Sequence, residues 1–359
     1  MSDKKYKGHH GHAKKENTNK RPPLTHFLCF PLVNQSSATQ LASSLKEFKS
    51  KIPLISPPAA SRAEASGHVV RVPLVPDDAI RPLGTLHLTL GVMSLGTRER
   101  LEEALGFLQS LDINGLLREV ETEMVYTENS GRASIIASDT PSLPLTVDLT
   151  SLKALPNTRS TTILHAHPLD TTSRLYPLGV KLRNKFIEAG FMHCEMIKAP
   201  KGTKSHGIKS AGERSEPGEN FQENTLIQTE CPGSQKQEGL IPRPLLLHAT
   251  VANTIYVKGR RNQQSRGKRG EQYKFNSAEL LAVFGDPPSH SRGDSLHQED
   301  SQNELHDTRQ PFVWANDIVI DRVCICEMGA KPVLDDPTKG GPTLGQAYIP
   351  VGEKYFLES

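Results

Sequence analysis

The sequence predicts a mixed α+β fold, and three observations support this prediction. Short apolar segments with the alternation of strands occur in turn with segments whose apolar residues repeat at helical spacing. Glycine or proline ends several of these segments, as is common at the ends of helices and strands. Two long polar stretches interrupt the pattern, and only 36% of the 359 residues are hydrophobic. We therefore expect one large or two small folded units, together with segments that do not fold.

The first part of the chain begins with a basic tail. Residues 1–23 contain seven Lys or Arg against two Asp or Glu and show no apolar period, so we expect a disordered tail. A strand is predicted at THFLCFPL, followed by a helix with Leu41, Leu45 and Phe48 on one face. Further segments predict a strand at 84–93, a helix in RERLEEALGFLQSL, strands around 118–126, 143–149 and 161–167, and a helix with Leu175, Leu178, Leu182 and Phe186 that ends at Gly190.

The second part contains two polar insertions between apolar segments. Residues 199–240 and 286–310 have few large apolar side chains, so they cannot bury enough surface to offset their ordering entropy, and we expect both to be disordered. Residues 244–257 predict a strand, and SAELLAVF predicts a short helix that ends at Gly285. DIVIDRVCICEMG predicts a final core strand or a bulged pair. The folded domain is expected to span residues 24–356.

Charge and cysteine content exclude several classes of protein. The formal net charge is only +3, which argues against a strongly basic nucleic-acid coat and against an acidic, wholly disordered chain. The sequence has neither an apolar run long enough for a membrane span nor the apolar core of a secretory signal, so we expect a soluble protein inside the cell. Five scattered cysteines without a CxxC pair predict reduced thiols and no zinc module: Cys29, Cys194, Cys231, Cys324 and Cys326.

Two strand-like segments carry the same motif. They read Leu86-His87-Leu88-Thr89-Leu90 and Leu247-His248-Ala249-Thr250-Val251. Because side chains of a strand alternate between its faces, each His and Thr points to one face and the flanking apolar residues point to the other. A single H-x-T segment is more often an ordinary half-buried strand. Two copies in otherwise apolar strands indicate a site.

Two such strands, one on each of two lobes, would place two histidines on opposite sides of one bound group. A phosphate suits this arrangement. One neutral His takes a proton from the attacking water or hydroxyl, and the other, as imidazolium, gives a proton to the leaving oxygen. The two Thr hydroxyls hold the non-bridging oxygens. This chemistry requires neither a metal nor another cofactor.

The paired motifs resemble those of the two-histidine (2H) phosphoesterase superfamily, which includes RNA 2′,3′-cyclic phosphodiesterases and RNA-ligase-like proteins. Further segments are similar to the branch of A-kinase-anchor-type domains, namely THFLCFPL, HLTLGVMSL, ILHAHPL, RPLLLHATVANTIYV, KFNSAELLAVFGD and WANDIVIDRVCICEMG with GQAY. The same pattern recurs in the phosphoesterase half of the first subunit of the activating signal cointegrator complex. The resemblance covers residues 24–198 and 240–356. It implies a bilobal α+β fold with two antiparallel-sheet lobes around a central cleft.

The resemblance also implies residue roles and two functions. His87 and His248 would be the acid/base pair, and Thr89 and Thr250 would bind phosphate. The first hypothesis is a metal-independent phosphoesterase that acts on RNA ends or small nucleotides, of the 2′,3′-cyclic phosphodiester type. The alternative is a non-catalytic RNA- or nucleotide-binding subunit of a nuclear transcription-coactivator or DNA-repair complex. A nuclear or cytoplasmic location is expected in either case, without membrane attachment. No KH module is recognisable before residue 24, so the partners of these relatives are not carried over.

Several other residues have two interpretations each. Tyr348, Tyr256 and Phe30 are candidates for stacking a base, although each such residue is more often part of a core. His165 and His167 either contact the cleft or lie on a strand edge, and the edge is favoured. The basic segment 258–270 is a contact for RNA, a nuclear-import patch or a solvated loop. Cys324 and Cys326 make a poor metal site because no partner pair lies near them in the sequence, and they are interpreted as strand residues.

Overall fold

An eight-stranded antiparallel sheet forms the centre of the computed structural model, which describes residues 22–56, 71–128, 144–198, 240–257, 272–287, 310–334 and 340–356. The strands are β1 (His26–Pro31), β2 (Leu54–Ile55), β3 (Val72–Pro73), β4 (His87–Met93), β5 (Thr146–Leu155), β6 (Ile163–Leu169), β7 (Met196–Lys198), β8 (Leu240–Pro242), β9 (Ala249–Asn253), β10 (Val313–Val319), β11 (Arg322–Glu327), β12 (Lys331–Pro332), β13 (Gln346–Ala347) and β14 (Pro350–Tyr355). The helices are α1 (Ala38–Ser50), α2 (Arg98–Ser110), α3 (Ile113–Glu128), α4 (Leu175–Glu188) and α5 (Ala278–Phe284). The predicted α+β class is confirmed.

The sheet consists of two halves with four strands each. Its order is β10-β5-β6-β9-β4-β1-β11-β14. The halves meet between β9 and β4, where Leu88 opposite Ala249 is the registered pair, whereas each other pair of neighbouring strands has four or more. The two motif strands are therefore the innermost strands of their halves. The predicted antiparallel pairing is confirmed, but the two predicted sheets are halves of one continuous sheet, with one motif in each half.

Helices pack against one face of this sheet through their apolar sides. In α4, the buried Leu175, Leu178, Leu182 and Phe186 recur every three or four residues, as a helix with one apolar face requires. The helix packs against β4, and a Cβ added to Gly179 would lie 3.2 Å from Leu90 Cδ2, so the close approach favours glycine. Helix α1 packs against β10, where the Ser44 hydroxyl donates to the carbonyl of Trp314 at 2.8 Å. The other face of the motif strands is thereby left for polar side chains.

The sheet is strongly curved, as the connection between β10 and β11 shows. These strands are first and seventh in the sheet order, yet only Ile320 and Asp321 separate them in sequence. Because two residues span only about 7 Å, the sheet must curl until these strands come close together. The predicted final strand is thus two strands, and they do not pair with each other. The expectation of a bulged pair is wrong because each strand pairs with a different half of the sheet.

The structure corrects two further expectations. Residues 118–126, predicted as a strand, belong to helix α3, because Ile113, Leu116, Leu117 and Val120 form a buried helical stripe that begins before this segment. Cys29, Cys324 and Cys326 are free, as expected, but Cys194 is disulfide-bonded. The expectation of reduced thiols is wrong for Cys194, since spacing along the sequence does not tell which cysteines become neighbours in the fold.

Several predictions fall on segments that the structure does not describe. The basic tail lies outside the described residues, except for its last two positions. Nearly all of the insertions 199–240 and 286–310 and the whole basic segment 258–270 also lie outside them. Within the described part of the chain, no helix is both long and apolar enough to cross a membrane.

Candidate functional site

The four motif side chains share one face of the sheet. On β4, Leu88 and Leu90 are buried on the helix side, whereas His87 and Thr89 are only partly buried on the other side. The second motif repeats this pattern: His248 precedes β9 and Thr250 lies within it, and both are partly buried between buried apolar neighbours. The alternation predicted from sequence is therefore present in both segments.

The register brings the two motifs side by side. Leu88 pairs with Ala249 in antiparallel orientation. His87 and Thr89 flank Leu88, and His248 and Thr250 flank Ala249, so the two motifs are adjacent at this pair. Directly opposed residues of an antiparallel pair have Cβ atoms about 4.5–5.5 Å apart. The four motif residues thus form a group around this pair, called the quadrilateral below.

Both histidine rings are fixed by the same kind of backbone contact. His87 Nδ1 lies 2.8 Å from the carbonyl oxygen of Thr85, and His248 Nδ1 lies 2.9 Å from that of Leu246. A carbonyl oxygen only accepts, so Nδ1 donates in each case and Nε2 is left for chemistry. The Nε2 atom of neutral His87 accepts from the Thr89 hydroxyl at 2.9 Å. Each motif therefore holds its imidazole in the tautomer that an acid/base residue needs.

The surroundings of His87 favour its neutral form. Burial, together with the positive charges of Arg81 and His248 and against the opposing hydrogen bond to Thr85, lowers the pKa of His87 to about 4. The influence of His248 on His87 is consistent with their places in the quadrilateral. At neutral pH His87 is unprotonated in the unliganded protein.

Aromatic side chains form a wall beside His87. The ring of Phe27 lies 4.8 Å from that of His87, and Tyr348 contacts His87 edge to face at 5.2 Å between centroids. Phe27 and Tyr348 also contact each other, at 4.9 Å. Tyr348, one of the predicted stacking residues, is therefore part of the site. Phe30 is fully buried in the core against Phe356, so it is not available for stacking a base.

Arg81 is a site residue that sequence reasoning missed. Its side chain is only 7% exposed, and its guanidinium donates to the Tyr348 hydroxyl at 3.1 Å. The guanidinium carbon also lies 4.1 Å from the centroid of the Tyr256 ring. Burial raises the pKa of Tyr348 to about 12, although the charge of Arg81 acts in the opposite direction. Because Arg81 and Tyr348 are distant in sequence, no local pattern indicates that they meet.

His165 also belongs to the site, so the favoured placement on a strand edge is wrong. Strand β6 lies between β5 and β9, and His165 pairs with Thr250 in the register. Its ring is 5.0 Å from that of His248, and the side chain is 3% exposed. The Nδ1 atom of His165 has no hydrogen-bond partner among the described residues. Burial, reinforced by the charge of His248, lowers the pKa of His165 to about 3.

The cysteines near the site do not form a metal centre. Cys29, Cys324 and Cys326 pack with Phe27, and Tyr348 contacts this cluster. Burial raises the pKa of Cys324 to about 12, which keeps the thiol protonated. In the described part of the chain, no group of three or more His, Cys, Asp or Glu side chains is placed to hold a metal ion. Cys324 and Cys326 are strand residues, as predicted.

An α+β fold that presents two H-x-T motifs side by side on an antiparallel sheet is the arrangement expected of a 2H phosphoesterase-type protein. The sequence matches the family model described as "AKAP7 2'5' RNA ligase-like domain" over residues 24–288, well over half of the chain. The chain therefore belongs to this family of the 2H phosphoesterase superfamily.

A solved structure described as "Crystal structure of phosphoesterase" aligns with 94% of this chain and 100% of that chain, at 10% sequence identity and a TM-score of 0.35. The comparison with curated proteins gives no match.

Proposed function

We propose that this protein is a metal-independent phosphoesterase that acts on RNA ends or small nucleotides with a 2′,3′-cyclic phosphate. The observation that carries the proposal is the quadrilateral of His87, Thr89, His248 and Thr250. It combines two imidazoles, each held at Nδ1 by a carbonyl oxygen, with two hydroxyls on one face of the sheet, and the Nε2 atom of His87 contacts the Thr89 hydroxyl. The family description, which refers to an RNA ligase-like domain, supports RNA as the substrate class.

The reaction follows from these groups. The Nε2 atom of one histidine takes a proton from water while the water oxygen attacks phosphorus. The other histidine, protonated on Nε2, gives its proton to the ribose oxygen as the P–O bond to that oxygen breaks. The cyclic diester and water become a phosphomonoester, and the two histidines have exchanged protonation states. The Thr89 and Thr250 hydroxyls donate to the non-bridging oxygens, where negative charge develops in the transition state.

The decisive experiment measures hydrolysis of a short RNA that ends in a 2′,3′-cyclic phosphate, with EDTA present. We expect turnover by the wild type and none by the double variant His87→Ala/His248→Ala. The matched control is His167→Ala, which removes a partly buried histidine of the neighbouring strand β6, outside both motifs. Circular dichroism of all three proteins establishes that the fold is retained. Wild-type turnover by the double variant would refute the proposal.

The same experiment distinguishes catalysis from binding alone. Catalysis requires one neutral and one protonated histidine, so the rate should pass through a maximum as the pH is varied. A folded wild type without turnover, whose RNA binding is lost in the double variant, would instead support the non-catalytic binding subunit. Binding that is unchanged in the double variant would exclude the quadrilateral from either function.

A further inference from the structure

We propose that Arg81 is a substrate-binding residue that contacts a phosphate group of the nucleotide ligand beside His87. This inference rests on the proposed function, since it adds a cation to the same site. Its basis is the combination of burial, an unneutralised charge and a fixed position next to the motif residues.

The charge of Arg81 is buried without a counter-ion in the described part of the chain. Burying a charge is costly unless it is paired, so buried arginines usually contact carboxylates. Arg174, at 6% exposure, follows this rule, because its guanidinium lies 2.6 Å from Glu121 Oε1. Arg81 is equally buried, yet no carboxylate oxygen of the described residues lies within 4.0 Å of it. A neutral hydroxyl and an aromatic face are the contacts that the structure gives its guanidinium.

Backbone contacts fix Arg81 next to the second motif. The Arg81 N–H donates to the carbonyl of Val251 at 2.8 Å, and Ile80 forms a bridge with Ala252. The main chain of Arg81 is thus anchored one residue beyond Thr250. From there the side chain reaches Tyr348, whose ring contacts His87. Tyr256, whose ring the guanidinium contacts, is 44% exposed, so the buried cation lies beside a residue of the surface.

A phosphate is the ligand group that best completes this arrangement. The histidine Nε2 atoms and threonine hydroxyls would hold a phosphate through hydrogen bonds, and neutral His87 adds no positive charge to these contacts. The guanidinium has several N–H donors, and Tyr348 occupies one of them. The remaining donors suit phosphate oxygens, and this charge-assisted contact also neutralises the buried cation. The site should therefore bind nucleotides more tightly than the corresponding nucleosides.

The test compares binding of adenosine with that of adenosine 2′-monophosphate and its 3′ isomer by calorimetry. We expect the wild type to prefer the monophosphates. Arg81→Gln should weaken their binding roughly 10- to 100-fold, the size of one hydrogen bond to a charged group, with little effect on adenosine. Arg81→Lys, which keeps the charge, should recover part of the loss. Arg118→Gln, at an exposed arginine of α3, is the matched control and should bind like the wild type.

The outcomes separate this inference from the proposed function. A folded Arg81→Gln protein that keeps the full preference for monophosphates would overturn the inference about Arg81, even if the protein hydrolyses cyclic phosphates. Loss of the preference in Arg81→Gln, but not in Arg118→Gln, would support it even if no turnover is found. If Arg81→Gln does not fold, binding by the wild type still tests the inference. Equal affinity of the wild type for adenosine and both monophosphates would exclude an anion site. Tyr348→Phe, which removes the hydroxyl that orients the guanidinium, should then weaken monophosphate binding selectively.

Discussion

Acidification from pH 7 to pH 5 should reduce the stability of this protein through His165, and the size of this loss can be worked out. The His165 side chain is buried on β6, and His248, His167 and Lys153 add positive charge around it. These influences lower its pKa in the folded state from 6.5 to about 3. Between these two values the unfolded chain binds a proton at this residue and the folded protein does not. The free energy of unfolding therefore rises with pH across this window and falls on acidification.

The magnitude follows from linkage. One proton taken up on unfolding changes the free energy of unfolding by about 1.4 kcal/mol per pH unit. The stabilisation is complete above pH 6.5, the unfolded value, and is lost progressively toward pH 3. Between pH 6.5 and pH 5 the loss from His165 alone is about 2 kcal/mol. His87, whose pKa is lowered in the same direction, adds to the loss.

The assay is urea unfolding of the wild type and His165→Gln at pH 7 and at pH 5. Since Gln does not titrate, the variant lacks this loss, so the destabilisation caused by the substitution should be about 2 kcal/mol smaller at pH 5 than at pH 7. His193→Gln, at an exposed histidine, is the control. If the substitution costs the same free energy at both pH values, the reasoning from burial is refuted. If the variant does not fold, an NMR titration of wild-type His165 decides, because titration near pH 6.5 would refute a lowered pKa.

Three further predictions concern the site and the core. Thr89→Ala should lower the hydrolysis rate about 10²- to 10³-fold, the usual effect of losing one oxyanion donor, whereas Thr89→Ser should retain most of the wild-type rate. Equal rates for both variants would exclude Thr89 as a phosphate-binding residue. Dialysis against EDTA should leave the hydrolysis rate unchanged, and a rate that falls and then recovers with a divalent metal would point to a different mechanism. Leu88→Ala should lower the free energy of unfolding, measured by urea unfolding, by about 2–5 kcal/mol. Val92→Ala, at a 37% exposed position of the same strand, should lower it much less. Similar losses for both variants would contradict the packing described for β4.

The sequence pattern was sufficient where the physical signal is local. A short apolar run predicted the buried strand β1. Alternation of apolar and polar residues predicted β4, β6 and the H-x-T faces, because a strand that buries one face must show it. Helical spacing predicted α1, α2 and α4 for the same reason. Alternation gave a wrong prediction at 118–126. This segment begins in the middle of helix α3, and its alternation is misleading unless the preceding turn is considered as well. The four motif residues were found because each pair is local and the pattern is repeated.

Residues brought together by the topology could not be predicted. Arg81 meets Tyr348 because a 3₁₀ turn before β4 lies near the segment before β14, and neither segment has a recurring pattern. His165 lies beside His248 because β6 is the neighbour of β9, and sequence alone does not give strand order. The interpretation of His165 as an edge residue was reasonable for an isolated H-x-H strand. It failed because edge and interior strands differ in their neighbours more than in their composition.

The strand order also determines when the two motifs can come together during synthesis of the chain. Both halves of the sheet are completed by late strands, since β10 closes the half that holds His248, and β11 and β14 close the half that holds His87. A nascent chain that has passed residue 250 already carries both histidines, but neither half of its sheet is complete. Domains fold as units during translation, and long-range strand pairing is slow. A growing chain would therefore acquire the proposed phosphoesterase site only after its last strands have been synthesised.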